Sequence, residues 1–459
     1  MTRIIPAALS FVITPIIAAC ASAELTTTLQ LPTFGVAVDA GGVLEVQAFP
    51  DPKGQLRAKR LVAAKAGLDA DIQIKSKLRK VSLVRLERAV RKRIAAGKPL
   101  DSAVQYLAGL QRLQYVFCYP ERGDIVIAGP AEGWMPDGAG RMIGLTTGKP
   151  TLELQDLVVA LRMFPPGKAD RPFVGCTIDP SREGLARLEA FQKTIPRTVS
   201  ERIRASVASK IKQGTRDALG MSNIRVFGVS PNTHFARVLV EADHRMKRIG
   251  IGLEPPPVRM ATFIGTLRSA RNGTLQRWWF QPHYDSIKVT KDHLALELAG
   301  QGVQLLAEDL AIAADGALIN PTARVNPASR LFTTSFTKKY PEIAAASPVY
   351  AQMRNCIDCL LAAAYLQRED FYGRTAWRMA TLSDEKVVPT QVFAAPKQVA
   401  CNVNVVWKGS RLLSPAGGVS IQPHLALAEE RIQHDADGKL GNRYQTLGNA
   451  VENDRWWWD

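Results

Sequence analysis

The chain has 459 residues, 46% of them hydrophobic and 22% charged, with a formal net charge of +17. That length calls for more than one ordinary domain, and that composition excludes wholesale disorder. With Gly 34, Pro 28 and Cys 6 the chain is no collagen, coiled coil or disulfide mini-scaffold, and past its first residues no apolar run reaches the ~18 residues of a membrane span.

Met1 to Ala23 reads as an export signal: Arg3 precedes an apolar run from Ile4 to Ala19, and Ala21-Ser22-Ala23 supplies small residues for cleavage before Glu24. Ile17-Ala18-Ala19-Cys20 also fits a bacterial lipobox, in which Cys20 becomes a lipid anchor; a retained anchor is the third reading. The expectation is an exported protein, periplasmic or envelope-associated. Without Cys20 five cysteines remain, Cys118, Cys176, Cys356, Cys359 and Cys401, an odd number that argues against a disulfide framework.

Gly35 to Asp39 and Val43 to Phe49 read as two strands around a Gly41-Gly42 turn. Asp51 to Leu100 is the basic segment, with 15 Lys/Arg against 4 Asp/Glu. Within it Ser82 to Ile94 predicts a helix, with Leu83, Leu86, Val90 and Ile94 on one face and Arg85, Arg88 and Lys92 on the other. A helix from Asp101 to Leu110 and strands near 113–118 and 125–128 follow. Leu152 to Phe164 is a helix stopped by Pro165-Pro166. Phe173 to Ile178 is a strand, and Asp179-Pro180 caps the next helix. Ser200 opens another, and Ile224 to Val229 is a strand. Phe235 to Ile249 is the cleanest helix, with Gly250 as its stop. Gln276 to Ala307 reads as an antiparallel meander, and Asn326-Pro327 and Ser347-Pro348 each open a helix. A last group of strands lies between 403 and 422, and Trp456-Trp457-Trp458 falls near the end.

The expected fold class is α+β: a basic α/β N-terminal module, then a larger mixed body with the meander and the helical pair. The expected boundaries are 1–23 for the signal, 24–135 for the basic module, 136–320 for the mixed core, 321–380 for the helical pair and 381–459 for the final strands and Trp-rich tail.

Cys176-Thr177-Ile178-Asp179-Pro180 with Glu183-Gly184-Leu185 forms one recognisable block. The run from Val238 to Glu254, with Glu241-Ala242-Asp243-His244-Arg245-Met246-Lys247-Arg248 at its centre, is the most specific. Arg277-Trp278-Trp279-Phe280, Phe336-Thr337-Lys338-Lys339-Tyr340-Pro341 and Trp407-Lys408-Gly409 complete the set. Over roughly Thr151 to Gln422 the chain resembles exported planctomycete proteins grouped as domain of unknown function 1598. That resemblance implies bacterial export and brings no activity with it.

Candidate chemistry is thin. Cys356-Ile357-Asp358-Cys359 is a C-x-x-C, but it lies two turns inside a predicted helix, away from the N-terminal dipole that activates redox thiols, so a buried pair is expected. No second C-x-x-C or H-x-x-x-H supplies a zinc site, and neither metal nor cofactor is expected. Ser335-Phe336-Thr337-Lys338 matches S-x-x-K without its partner motifs. Gly144 to Lys149 is too short for a phosphate-binding P-loop, and Pro150 replaces the Ser/Thr that holds magnesium. Glu241, Asp243 and His244 are the weak catalytic candidates, against a bland reading of Glu241–Arg245 and Asp243–Lys247 pairs on a solvated helix face. Of Trp278 and Trp279, alternation places one in the core.

The function expected first is a non-enzymatic binding or structural protein of the envelope, with Arg85, Arg88 and Lys92 facing an anionic polymer or lipid head groups. A protein partner is the other possibility, and export disfavours nucleic acid. The alternative is an unrecognised hydrolase with its site near the Phe235–Ile249 helix.

Overall fold

The computed structural model describes residues 32–168, 171–195, 200–267, 274–312, 318–319, 326–406, 411–449 and 455–459. The export segment with Cys20, and Trp407-Lys408-Gly409, lie outside them. The expected elements arise where local signals are strongest. Ser82 ends a strand and caps the helix Leu83–Ala95, its Oγ accepting the Arg85 N–H at 3.1 Å. Thr233 caps the helix His234–Gly250 through the Ala236 N–H at 3.1 Å, and Asn326 caps Pro327–Lys338 through Ala328 N–H at 2.8 Å.

Among the described residues nine strands form one sheet, in the spatial order Thr33–Val38, Val43–Phe49, Gln398–Ala400, Met221–Phe227, Val174–Pro180, Ala416–Ile421, Thr274–His283, Gly302–Ile312, Leu318–Ile319. Seven form a second, in the order Ile432–His434, Ser286–Val289, Ala295–Ala299, Tyr115–Tyr119, Asp124–Ala131, Ser76–Ser82, Trp457–Trp458. Both sheets are mixed: Thr274–His283 runs parallel to Ala416–Ile421, and Ser286–Val289 parallel to Ile432–His434, while the other pairs are mostly antiparallel. The fold is α+β. Each sheet takes strands from 24–135, from 136–320 and from 381–459.

The helix Pro348–Arg368 is buried on every side, as its lack of a polar face requires. It packs against Leu154–Met163 and His234–Gly250. Trp278 is fully buried against Phe263 and Phe332, and Phe280 meets Phe336 and Tyr350. Trp279 faces the other way, under the Arg277 guanidinium. Gly417 has φ +106, and a Cβ there would sit 2.1 Å from the Trp278 carbonyl oxygen, so only glycine fits beside that strand. No described helix is long and apolar enough to cross a membrane.

Four local expectations need correction. The strands from Thr274 to Ile312 are not a meander: the outer two pair with each other in the nine-stranded sheet, and the inner two in the seven-stranded one. The helix Pro327–Lys338 covers the aromatic face of the outer pair, and strand propensity cannot encode that partner choice. The cap after Val174–Pro180 is Ser181, whose Oγ accepts Gly184 N–H at 2.9 Å, because Asp179 and Pro180 still pair with Asn223 and Ser222. The helix expected from Asp101 ends at Gln105, and Leu107, Ala108 and Gly109 turn to positive φ, presenting the Ala108 carbonyl to Arg79 at 2.7 Å. The face of His234–Gly250 bearing Glu241 and Asp243 is buried, not solvated, because sheet and central helix enclose it.

Cys356 and Cys359 are each 1% exposed, and burial raises both thiols well above their ordinary range. All five described cysteines are buried and unpaired. The Trp tail docks: Trp457 and Trp458 pair with Val81 and Lys80 at the edge of the seven-stranded sheet.

Candidate functional site

Two helix N-termini meet at one cleft. Glu153 precedes Leu154–Met163 and Asp156 lies in its first turn, so their i,i+3 spacing puts both carboxylates on one face. His234 opens the helix His234–Gly250. Its Nδ1 lies 2.9 and 3.1 Å from the two Asp156 oxygens, and its Nε2 lies 3.7 Å from Glu153 Oε1. Gln155 donates to the other Glu153 oxygen at 2.6 Å.

A positive imidazole at a helix N-terminus opposes the dipole, so the carboxylates must outweigh it. Burial works against the charge on His234, yet Asp156 and then Glu153 raise its pKa to about 9. Burial raises Glu153 too, with His234 opposing and Asp156 reinforcing the rise. His234 is therefore held as the imidazolium near neutral pH, beside two carboxyl groups.

The cleft encloses about 350 Å³. Its other polar walls are Tyr106, Arg141, Arg237, Glu241 and Gln352. Arg141 is ion-paired with Glu241, lies 3.5 Å from Asp137, and donates to Phe34 O at 2.7 Å. Glu241 is also 3.3 Å from Arg245, which donates to Glu254 at 2.8 and 2.9 Å. Arg237 lies one turn after His234; it donates to the Val36 carbonyl and lies over the Phe393 ring. It makes no ion pair among the described residues.

Glu153, Asp156 and His234 offer ligand atoms within 4.8 Å of one another. Asp156 sits on Nδ1 at 2.9 Å, however, the place from which a carboxylate orients a ligating histidine, so Nε2 and Glu153 are the ligands this geometry presents first, and catalytic zinc sites use three. The arrangement serves better as a proton-transfer pair. A larger cavity, about 970 Å³, is lined by His293, His424 and His434, but its carboxylate–imidazole contact, Glu369 to His293, is longer at 3.4 Å.

The three catalytic candidates read from sequence face different surroundings. Glu241 borders the cleft. Asp243 is fully buried 2.8 Å from Lys247, and burial outweighs that ammonium, pushing its pKa up to about 6. His244 is held neutral: burial, then Arg248, Lys247 and Arg245, lower it to about 3, and it contacts Asn402 at 3.3 Å. Of the basic row, Arg88 and Lys92 are exposed, whereas Arg85 lies 3.4 Å from Asp124 and over the Trp458 ring. Sequence reasoning missed Glu153, Asp156 and His234. The signal was a carboxylate pair at i,i+3 in a helix's first turn, but its histidine lies 78 residues away.

Val174–Pro180, the helices Arg182–Thr194 and Arg204–Leu219, Met221–Phe227 and His234–Gly250 form one continuous unit of chain. Lys247 pins the last helix to the sheet, donating to Ile178 O and Gly417 O at 3.0 Å each as well as to Asp243. Residues 176–263 match the family model described as Protein of unknown function (DUF1598). Over this stretch the chain is similar to that family. The match is narrower than the resemblance read over Thr151 to Gln422. The DUF1598 stretch supplies His234, Arg237 and Glu241 to the cleft, while Glu153, Asp156 and Arg141 come from the chain before it. No curated protein and no solved structure matches the chain.

Proposed function

We propose that the cleft is the active site of a hydrolase acting on a substrate with an anionic group. The observation that carries this reading is the Asp156–His234–Glu153 arrangement in a concave, polar site at the start of the His234–Gly250 helix. Asp156 fixes the ring through Nδ1, which leaves Nε2–H directed to the cleft. Glu153 takes a proton from water, and the His234 Nε2–H protonates the leaving group as the water oxygen attacks. Arg237, which makes no ion pair among the described residues, receives the anionic group.

The test is turnover of a panel of anionic esters, phosphoesters and peptides. His234→Gln and Glu153→Gln should each lower it by about 10²–10⁴-fold with the fold intact by circular dichroism. The His234 resonance in the parent should titrate near pH 9 and move down in Asp156→Asn. Turnover unchanged by His234→Gln, or none across the panel, sinks the reading.

A second reading keeps an observation of its own. The helix Gln55–Gly67 buries no side chain and exposes Arg57, Lys59 and Lys65 beside Leu56 and Val62, which are 50% and 70% exposed. Such a helix suits an anionic envelope polymer or lipid head groups. Because Arg85 is tied to Asp124, the variant that tests this is Lys59→Gln, Lys65→Gln and Lys92→Gln together. It should leave an anionic column at lower salt than the parent; equal elution would rule out binding by this face. We also propose export, supported by the leader at 1–23, with Cys20 as the alternative lipid anchor. The mature protein should begin at Glu24 or at a lipidated Cys20, and an intact Met1 on a cytoplasmic protein would overturn this.

A further inference from the structure

Arg112 and Arg354 flank Asp358 of the central helix, away from the cleft, and Lys149 and Lys75 add positive charge that acts on them. Arg112 Nε lies 3.1 Å from Asp358 Oδ2, and Nη1 donates to Gly300 O at 2.7 Å; Nη2 is buried and unpartnered among the described residues. Arg354 precedes Asp358 by one helical turn, yet makes no hydrogen bond or ion pair among the described residues, and its Nε is buried without a partner. The other Asp358 oxygen, Oδ1, accepts the Tyr284 hydroxyl at 2.6 Å. One carboxylate therefore stands beside two guanidiniums and is bonded to one of them. The Arg354 stem is fixed by Gly302 at φ +83, where a Cβ would come within 2.9 Å of Arg354 Cγ.

Lys149 joins them from the Gly144–Lys149 loop. The loop does not cradle a phosphate with its own backbone, since Glu132 already accepts the Thr146 and Thr147 N–H groups at 3.2 and 2.9 Å. What the loop contributes is the ammonium. Burial, then Arg354, Lys75 and Arg112, lower the Lys149 pKa against the opposing charge of Glu132, and burial and Arg112 lower that of Arg354. Lys75 and Lys149 are exposed. With Asp358 and Glu132 as the opposing carboxylates, two positive charges stay uncompensated, and orphaned N–H donors come from two side chains.

We propose that Arg112, Arg354 and Lys149 bind a tetrahedral oxyanion, phosphate or sulfate, free or as the terminal group of a larger ligand. A dianion balances the surplus charge and takes the unused Arg112 Nη2 and Arg354 Nε donors together, as a monovalent planar carboxylate does less well. Calorimetry and thermal unfolding with inorganic phosphate, against sodium chloride at matched ionic strength, test it on the full chain. The parent should bind one phosphate and unfold at a higher temperature in phosphate. Arg354→Gln, which breaks no hydrogen bond seen here, and the surface change Lys149→Gln should each raise the dissociation constant at least tenfold. An alkyl phosphate monoester in a second arm separates the sources: equal affinity points to the end of a larger ligand, weaker affinity to the free ion. Phosphate acting no differently from chloride would mean that water satisfies these donors and would overturn the site, as would unchanged affinity in both variants.

Discussion

Arg79→Met is expected to lower the unfolding free energy by about 3–5 kcal/mol, because it leaves several enclosed carbonyls as well as a partner carboxylate without their donor. Arg79 is fully buried, and its donors are all used. Nε and Nη2 form a fork on Asp459 at 2.9 and 2.7 Å, while Nη1 and Nη2 reach the carbonyls of Ala108, Ile74, Ile72 and Asp71 at 2.7 to 3.3 Å. The guanidinium also lies 4.7 Å from the Trp457 ring centroid. Methionine fills the volume but leaves those carbonyls unsatisfied and detaches the Trp tail. Asp459→Asn, which keeps a hydrogen-bond acceptor on a side chain 37% exposed, should cost only about 1 kcal/mol. Urea unfolding reads both. A parent-like midpoint for Arg79→Met would show that the tail is held by its strand pairing alone.

Lys247→Met should cost about 3–5 kcal/mol at pH 7.5 and clearly less at pH 5. Lys247 is 1% exposed and matches three donors to three acceptors, Asp243, Ile178 O and Gly417 O. Its removal strands a fully buried carboxylate. Asp243 already has its pKa raised to about 6 with the ammonium in place. A raised folded value means proton uptake on folding, so the penalty of the charged form is absent below the unfolded pKa of ~3.9 and complete above the folded one. Losing Lys247 moves the folded value higher still, and acidification then relieves the variant. Asp243→Asn combined with Lys247→Met should recover part of the loss at pH 7.5. A pH-independent penalty would mean that the packing of the lysine stem, not the charge, is what matters.

Local codes were legible in the sequence because they are written within one turn or one pleat. Ser82 and Asn326 act on N–H groups three and two residues away, and Trp278 and Trp279 part to opposite faces by alternation alone. The Val238 to Glu254 run was specific enough to place the chain's DUF1598 stretch. Tertiary structure decided whatever depends on distant partners. It placed the strands from Thr274 to Ile312 in two sheets, because aromatic faces need covering by helices far along the chain. It buried Glu241 and Asp243, enclosing their i,i+4 pairs with Arg245 and Lys247 and adding Arg141 as a second partner of Glu241. It also brought His234 to Asp156 across 78 residues of chain, and Arg112 to Asp358 beside Arg354 across 246. Hydrogen bonds and charge pairs act over a few ångströms of space whatever the separation in sequence, so only the folded chain could bring these groups together.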